Sequence, residues 1–554
     1  MQTESTRPVP NRSVRAPHAR GSDGRWALWA LQAGAALVVL AALPYPFFQL
    51  DRYTFVKELV LLAAALAAVL LCIASARTLT VFMVDALVGG FLALSLVSAL
   101  FATNGWLAAR ALGVSLAGAG LFWTARTVAR AGHGPRLLAA LAAAVVVGAV
   151  TGLIQAYGLV TTDLASVTRA PGGTFGNRNF MAHLATIGLP VLILVTVEAR
   201  RRRDFALGAA GVALAAAALV LSRSRAAWLG AAACGVFLAV EGLWVGRLWA
   251  DRQLRRRALF LAGLALGGLL LALALPNRLN WRSDSPYLDS LAGVANYREG
   301  SGRGRLIQYS NTLEMAMDHP VLGVGPGNWP VHYPKYMSPR DPSFDTDDVI
   351  PTNPWPSSDW MATLAERGLP AALLLLSVGG SIALGAWARV RSGSRRTPAL
   401  RDLTIVATLI AIVVVGAFDA VLLLPTPTYF AWTVIGALAS SARPVREVAL
   451  SPLGRRRLTV AVAAVGGVLL IHSLSQVAAM TLSDGGSREA LEVAAKVDPG
   501  SYRIHMRLAQ QWRAAGRCDR ASEHAERARR LFPNHPAPRA VLRACGRGGQ
   551  RNSR

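Results

Sequence analysis

Of the 554 residues, 53% are hydrophobic and 16% charged, with a mean hydropathy of +0.38, more apolar than a water-soluble core of this length demands, so lipid is the expected solvent. The formal net charge of +27 comes from short basic clusters between apolar stretches, which puts anionic lipid headgroups beside them and argues against nucleic acid as a partner. The four cysteines, Cys72, Cys234, Cys518 and Cys545, lack the spacing of a zinc site, so neither a structural metal nor a cofactor is expected.

Residues 1–25 are polar and arginine-rich, and predict a disordered cytoplasmic segment ahead of a retained signal-anchor span. Stretches long enough to cross a bilayer, about 20 residues each, lie near 27–48, 55–75, 81–102, 106–124, 136–159, 179–198, 204–222 and 226–245, then near 257–275, 361–388, 402–424, 427–441 and 458–480. The predicted fold class is therefore an all-α polytopic membrane protein of about thirteen transmembrane helices, residues 26–481. With the N-terminus cytoplasmic, the even-numbered connections carry Arg126, Arg130 and Arg136, then Arg200–Arg203, Arg255–Arg257, Arg389–Arg401 and Arg455–Arg457, as the positive-inside rule requires of a bacterial inner-membrane protein.

That threading exports three polar segments: 160–178, the turn at 222–225, and a large periplasmic loop, 276–360. The loop is rich in Gly, Pro, Asp, Asn and aromatic residues, with turn signals such as Gly325-Pro326-Gly327-Asn328, and a loop this long is usually functional. Asp345-Thr346-Asp347-Asp348 has the acidic spacing of metal-dependent sugar transferases, but a solvated turn is the commoner use. Lys57, Glu58, Glu241 and Asp419 are the few ionisable residues within or beside the spans, and they sketch no ion path of the kind a transporter needs.

After the last span, 482–545 turns to amphipathic helix with a Val497-Asp498-Pro499 break, and predicts a small helical tail outside the membrane, with 546–554 disordered. Its Ala positions and Asp-Pro ending resemble a tetratricopeptide repeat of about one and a half units, which offers a surface to a periplasmic protein partner. An exported tail allows Cys518 and Cys545 to pair as a disulfide or to remain two thiols.

Four segments on the exported side carry a further likeness: Gly173-Thr174-Phe175-Gly176-Asn177-Arg178-Asn179, Ser222-Arg223-Ser224-Arg225, Gly302-Arg303-Gly304-Arg305, and Asp318-His319 running on to Gly327-Asn328. In their order and placement the chain resembles the O-antigen ligase and O-antigen polymerase superfamily of bacterial envelope glycosyltransferases, from about Asp51 to Thr428. The resemblance implies metal-independent transfer, with inversion, of a polyprenyl-diphosphate-linked glycan to a lipid A core or growing polysaccharide at the periplasmic face. It also implies that Arg225 and Arg305 contact the diphosphate, with Arg303 able to stand in for Arg305. Arginine suits that role because its donor fork stays protonated in a half-dry site; the commoner use of an arginine at a membrane boundary is to reach headgroups. Asn177 and Asn179 sit where amides bond sugar hydroxyls or cap a helix. The ligases of this family begin the tenth span with His-Asn, whose histidine activates the acceptor; here that position is Ser357, which is no base near neutral pH. Asp359 and Glu366 are then the candidate bases, with an interfacial helix cap as the alternative for Asp359. The departure also leaves open a glycan-lipid scaffold or transporter that binds without transferring.

Overall fold

The computed structural model describes residues 24–44, 51–158, 170–244, 250–281, 283–294, 296–337, 341, 354–392 and 396–551. The acidic run at 345–348 lies outside them, as does most of 160–178. The protein is an all-α, multi-pass membrane protein, in which ten described helical stretches are long and apolar enough to span a bilayer. In chain order the helices begin with α1 (Arg25–Leu40), α2 (Asp51–Ser75), α3 (Met83–Leu100), α4 (Gly105–Val128), α5 (Gly134–Ala156) and α6 (Arg178–Glu198). Then come α7 (Arg202–Ser222), α8 (Arg225–Trp244), α9 (Arg252–Ala274), the short α10 (Pro286–Ala292) and α11 (Gly300–Asp318). After the loop follow α12 (Asp359–Arg391), α13 (Arg396–Phe418), α14 (Pro425–Leu438) and α15 (Pro452–Leu482), and the tail is α16 (Arg488–Val497), α17 (Tyr502–Ala514), α18 (Cys518–Leu531) and α19 (Pro536–Arg551).

Several boundaries depart from hydropathy for local reasons. The first helix ends at Leu40, ahead of Pro44, because its last carbonyls are taken by side chains. Lys57 Nζ donates to Val38 and Val39 at 2.9 and 2.8 Å, Thr174 Oγ1 to Val39 at 2.6 Å and Thr426 Oγ1 to Val38 at 3.0 Å. Residues 105–156 form one 52-residue apolar helical run divided by a π turn, in which Gly132 takes φ +92°, a conformation that costs glycine least. The 14 residues of α14 are buried on every side, so this helix shows the bilayer no face. On α15, by contrast, Val460, Val468 and Ile471 are at least 60% exposed and form a lipid-facing stripe.

The connections sort onto two faces. On one, β1 (Thr78–Val81), following α2, pairs antiparallel with β2 (Arg446–Ala449), preceding α15, in register Thr78 to Ala449. Arg130 of the α4–α5 turn donates to the Ser440 and Ala442 carbonyls on that same face. Sequence patterning did not foresee this ribbon, because both strands are short and largely exposed. The other face gathers the 173–179 segment, the α7–α8 turn, the loop, the α13–α14 turn and the tail.

The loop is fastened by its Gly-rich stretch to a break in α12. Gly368 takes φ +80° and ψ 170°, interrupting the helix, and Leu369 N–H donates to Pro320 O at 2.8 Å. In return Val324 and Gly325 N–H donate to Ala365 and Glu366 carbonyls, both at 2.9 Å. Gly323, at φ +65°, lies against the Glu366–Arg367 backbone so closely that a Cβ there would collide with it. The tail folds back on the same face: Arg503 pairs with Asp51 at 3.6 Å, and Asn104 Nδ2 donates to Leu531 O at 3.3 Å. Tyr502, Met506 and Phe532 pack with Val331 of the loop. A disulfide joins Cys518 to Cys545, so α18 and α19 are tied together.

Candidate functional site

Arg225 opens α8, Arg223 ends α7 at φ +53°, and Arg178 opens α6. Together with Arg305, one turn and a half into α11, these arginines line a cavity of about 720 Å³. Helix N-termini supply the setting: α6, α8 and α11 all begin there, so unpaired amide dipoles add to the positive field. Two carboxylates share the rim, Asp289 and Glu299, leaving the lining cationic by two charges, four against two. Asp289 accepts the hydroxyls of Ser283 and Ser285.

Each arginine is held differently. Arg178 and Arg223 stand over the Trp281 ring at 5.2 and 4.6 Å from its centroid, and Arg223 Nε donates to Ser290 Oγ at 2.8 Å. Arg225 donates to the Gly293 carbonyl and to Ser301 Oγ, so it clamps the end of α10 to the start of α11 while lining the cavity. Arg305, half-buried, makes no hydrogen bond or ion pair among the described residues.

Of the residues singled out from sequence, Arg225, Arg305 and Asn179 meet at this cavity. Arg303 is exposed and is not in the lining. Asn177 caps α6, its side-chain oxygen accepting from Asn179 N–H at 2.9 Å, and it is not in the lining either. Asp359 is fully buried away from the cavity, where its two oxygens accept the N–H groups of Val421, Leu422 and Leu423 at 2.9 to 3.3 Å. Glu366, also buried, accepts from Gly327 N–H at 2.8 Å and Trp329 N–H at 3.3 Å. Both carboxylates therefore hold backbone amides, Asp359 those of the α13–α14 turn and Glu366 those of the Gly-rich loop.

Behind Asn179 lies a cluster that the motifs did not single out. The Asn179 amide donates to Asp419 Oδ2 at 3.1 Å, and His183 Nε2, one helical turn further along α6, stands 3.7 Å from the same oxygen. Asn179 and His183 share a helix face by their four-residue spacing, and an acidic residue in an apolar span is itself a functional signal. Only their convergence was hidden. Tyr309 of α11 completes the group: its hydroxyl lies 2.7 Å from Ser357 O and 2.8 Å from Ala417 O, and burial pushes it up to about 12 against the pull of Arg305. Ser357, at the departed histidine position, is thus tied by its backbone to the helix that carries Arg305, with Gln308 Oε1 accepting its N–H at 2.7 Å.

Residues 210–376 match the family model described as O-antigen ligase. Over this segment the chain is similar to O-antigen ligases. The matched segment covers less than a third of the chain and is narrower than the resemblance drawn from motifs. It contains Arg223, Arg225, Arg305 and the Gly-rich loop, and it stops short of Asn179 on one side and Asp419 on the other. No curated protein matches the chain. That match supports an O-antigen ligase or polymerase type of function in general terms.

Proposed function

We propose that the protein transfers a glycan from a polyprenyl diphosphate to an acceptor hydroxyl on the periplasmic side of the bacterial inner membrane, its N-terminus remaining in the cytoplasm. The observation that carries this is the convergence of Arg178, Arg223, Arg225 and Arg305, from three separate parts of the chain, on one cavity. A diphosphate leaving group gains negative charge as the glycosidic bond breaks, and preorganised guanidinium donors stabilise that charge most where water is scarce. Arg305, which makes no hydrogen bond or ion pair among the described residues, is the donor that meets the diphosphate. Arg225 lines the same cavity from the start of α8.

The acceptor needs a base. In this proposal Asp419 takes that part, oriented by Asn179 and backed by His183, since it accepts one backbone N–H, from Ala420 at 2.9 Å, whereas Asp359 holds three and Glu366 two. Basic clusters on the ribbon face support the orientation, because they are the clusters that the positive-inside rule keeps in the cytoplasm.

Deleting the gene and restoring it with an Arg305→Ala copy tests the proposal on surface glycan resolved by gel. Loss of capped long chains on deletion indicates ligation, and a shift to single repeat units indicates polymerisation. The Arg305→Ala copy lowers transfer roughly 10²–10³-fold; full rescue by it removes the mechanism and favours a glycan-lipid scaffold, the reading that Ser357 in place of the histidine supports.

A further inference from the structure

A second cleft, about 230 Å³, lies between the tail and the membrane body. Its walls are the N-terminal turns of α2 and α4, the Pro354-Trp355 segment, the α13–α14 turn and the α16–α17 connection of the tail. Its electrostatics are opposite to those of the arginine cavity. Four carboxylates, Asp51, Glu58, Glu366 and Asp498, face two guanidiniums, Arg110 and Arg503, so the lining is anionic and unsuited to a phosphate.

Three of those carboxylates are already satisfied: Glu58 by Arg110 at 2.7 Å, Asp51 by Arg503 at 3.6 Å, and Glu366 by two amides. Asp498 differs. It is 4% exposed, and its Oδ1 has no hydrogen-bond partner among the described residues, which leaves a buried acceptor short of a donor. Around it stand Trp106, Trp355, Phe55 and Tyr502. Aromatic faces beside a carboxylate that wants hydroxyl donors suit a pyranose, whose C–H face is apolar and whose rim is all hydroxyl. The volume falls below the roughly 300–1,000 Å³ of clefts that take drug-sized ligands, so the fit is to one ring or a chain end.

Position links the two cavities. Trp355 packs on Phe180 with ring centroids 6.1 Å apart, and Phe180 directly follows Asn179 of the arginine cavity. We propose that this cleft is a glycan-binding subsite that seats one sugar ring of the acceptor against Trp355 and Trp106 and within reach of Asp498, so that the C-terminal tail forms a wall of the substrate site. The assignment of that ring to the acceptor rests on the proposed function; the binding of a neutral glycan does not.

The test uses the full chain in a sugar-free detergent, with oligosaccharides released by mild acid from the host's own envelope polysaccharide and separated into core-derived and repeat-derived fractions. Saturation-transfer NMR on the wild type is expected to show binding of one fraction, and the fraction that binds tells a core acceptor from a growing chain. Trp355→Ala, which lies outside the tail, and Asp498→Asn, checked for an intact tail by limited proteolysis, each weaken binding at least tenfold. Arg305→Ala binds as the wild type does while transfer is lost. Binding of neither fraction, or binding unchanged in Trp355→Ala, overturns the subsite. Binding as expected together with full transfer by Arg305→Ala overturns the diphosphate mechanism alone.

Discussion

Asn179 and Asp419, 240 residues apart in sequence, are joined by a 3.1 Å hydrogen bond at the back of the arginine cavity. The amide fixes the carboxylate's orientation, and His183 lies 3.7 Å from the same oxygen. Replacing Asp419 by Asn keeps the size and removes the proton acceptor, so transfer falls roughly 10²-fold or more, the usual worth of a general base. Activity of purified protein on a lipid-linked donor checks this, and a rate within twofold of wild type removes Asp419 from the mechanism. Thermal unfolding in detergent should change little, because the amide oxygen can keep the Ala420 N–H bond that Asp419 Oδ1 accepts at 2.9 Å while its NH2 donates to the oxygen of a turned Asn179 amide.

Asp359 makes the opposite prediction. Its carboxylate gathers three consecutive amides of the α13–α14 turn, and Asp359→Ala leaves them buried without acceptors at about 1–3 kcal/mol each. The variant should lose stability, or fail to accumulate in the membrane, before any loss of specific activity can be measured. A well-folded Asp359→Ala protein with normal melting and no activity would restore Asp359 as a candidate base.

Gly368 tests how the loop is held. A Cβ there would meet the Val321 carbonyl, in a backbone conformation that L side chains rarely adopt. Gly368→Ala should cost about 1–3 kcal/mol of stability, seen as a lower melting temperature and faster proteolysis within 318–337. Gly380, with open space around it on the same helix, is the control: Gly380→Ala should leave both unchanged.

The tail should loosen in acid. Burial holds the His505 and His535 rings down at about 4, well below the ordinary 6.5. A histidine kept neutral in the folded tail stabilises it fully above its unfolded value, and that stability is lost as pH falls from about 6.5 towards 4. Asp498 acts the other way, since burial raises it to about 6 and it favours the folded state as it gains a proton. The two histidines outweigh the one carboxylate, so protease cleavage of the tail should accelerate between pH 6.5 and 4. Replacing both histidines by Gln should flatten that profile.

Much of this molecule was legible in its sequence, and the remainder hidden for identifiable reasons. Apolar length located the helices because lipid leaves few alternatives for a buried backbone. Arg225 and Arg305 were visible through the short motifs around them, yet Arg178 and Arg223, standing in quoted motifs, gained meaning only when Trp281 was seen between them. The fate of Asp359 was decided by amides some sixty residues away, which no local pattern announces. The break at Gly368 was equally silent, because its glycine matters only against a loop returning from Pro320.

The two-stranded ribbon carries a constraint of parity. Hydrogen-bonded strands must lie in the same compartment, so the chain between Val81 and Arg446 crosses the bilayer an even number of times, however the individual helices are counted. Gaining or losing one crossing in that interval would tear the ribbon apart.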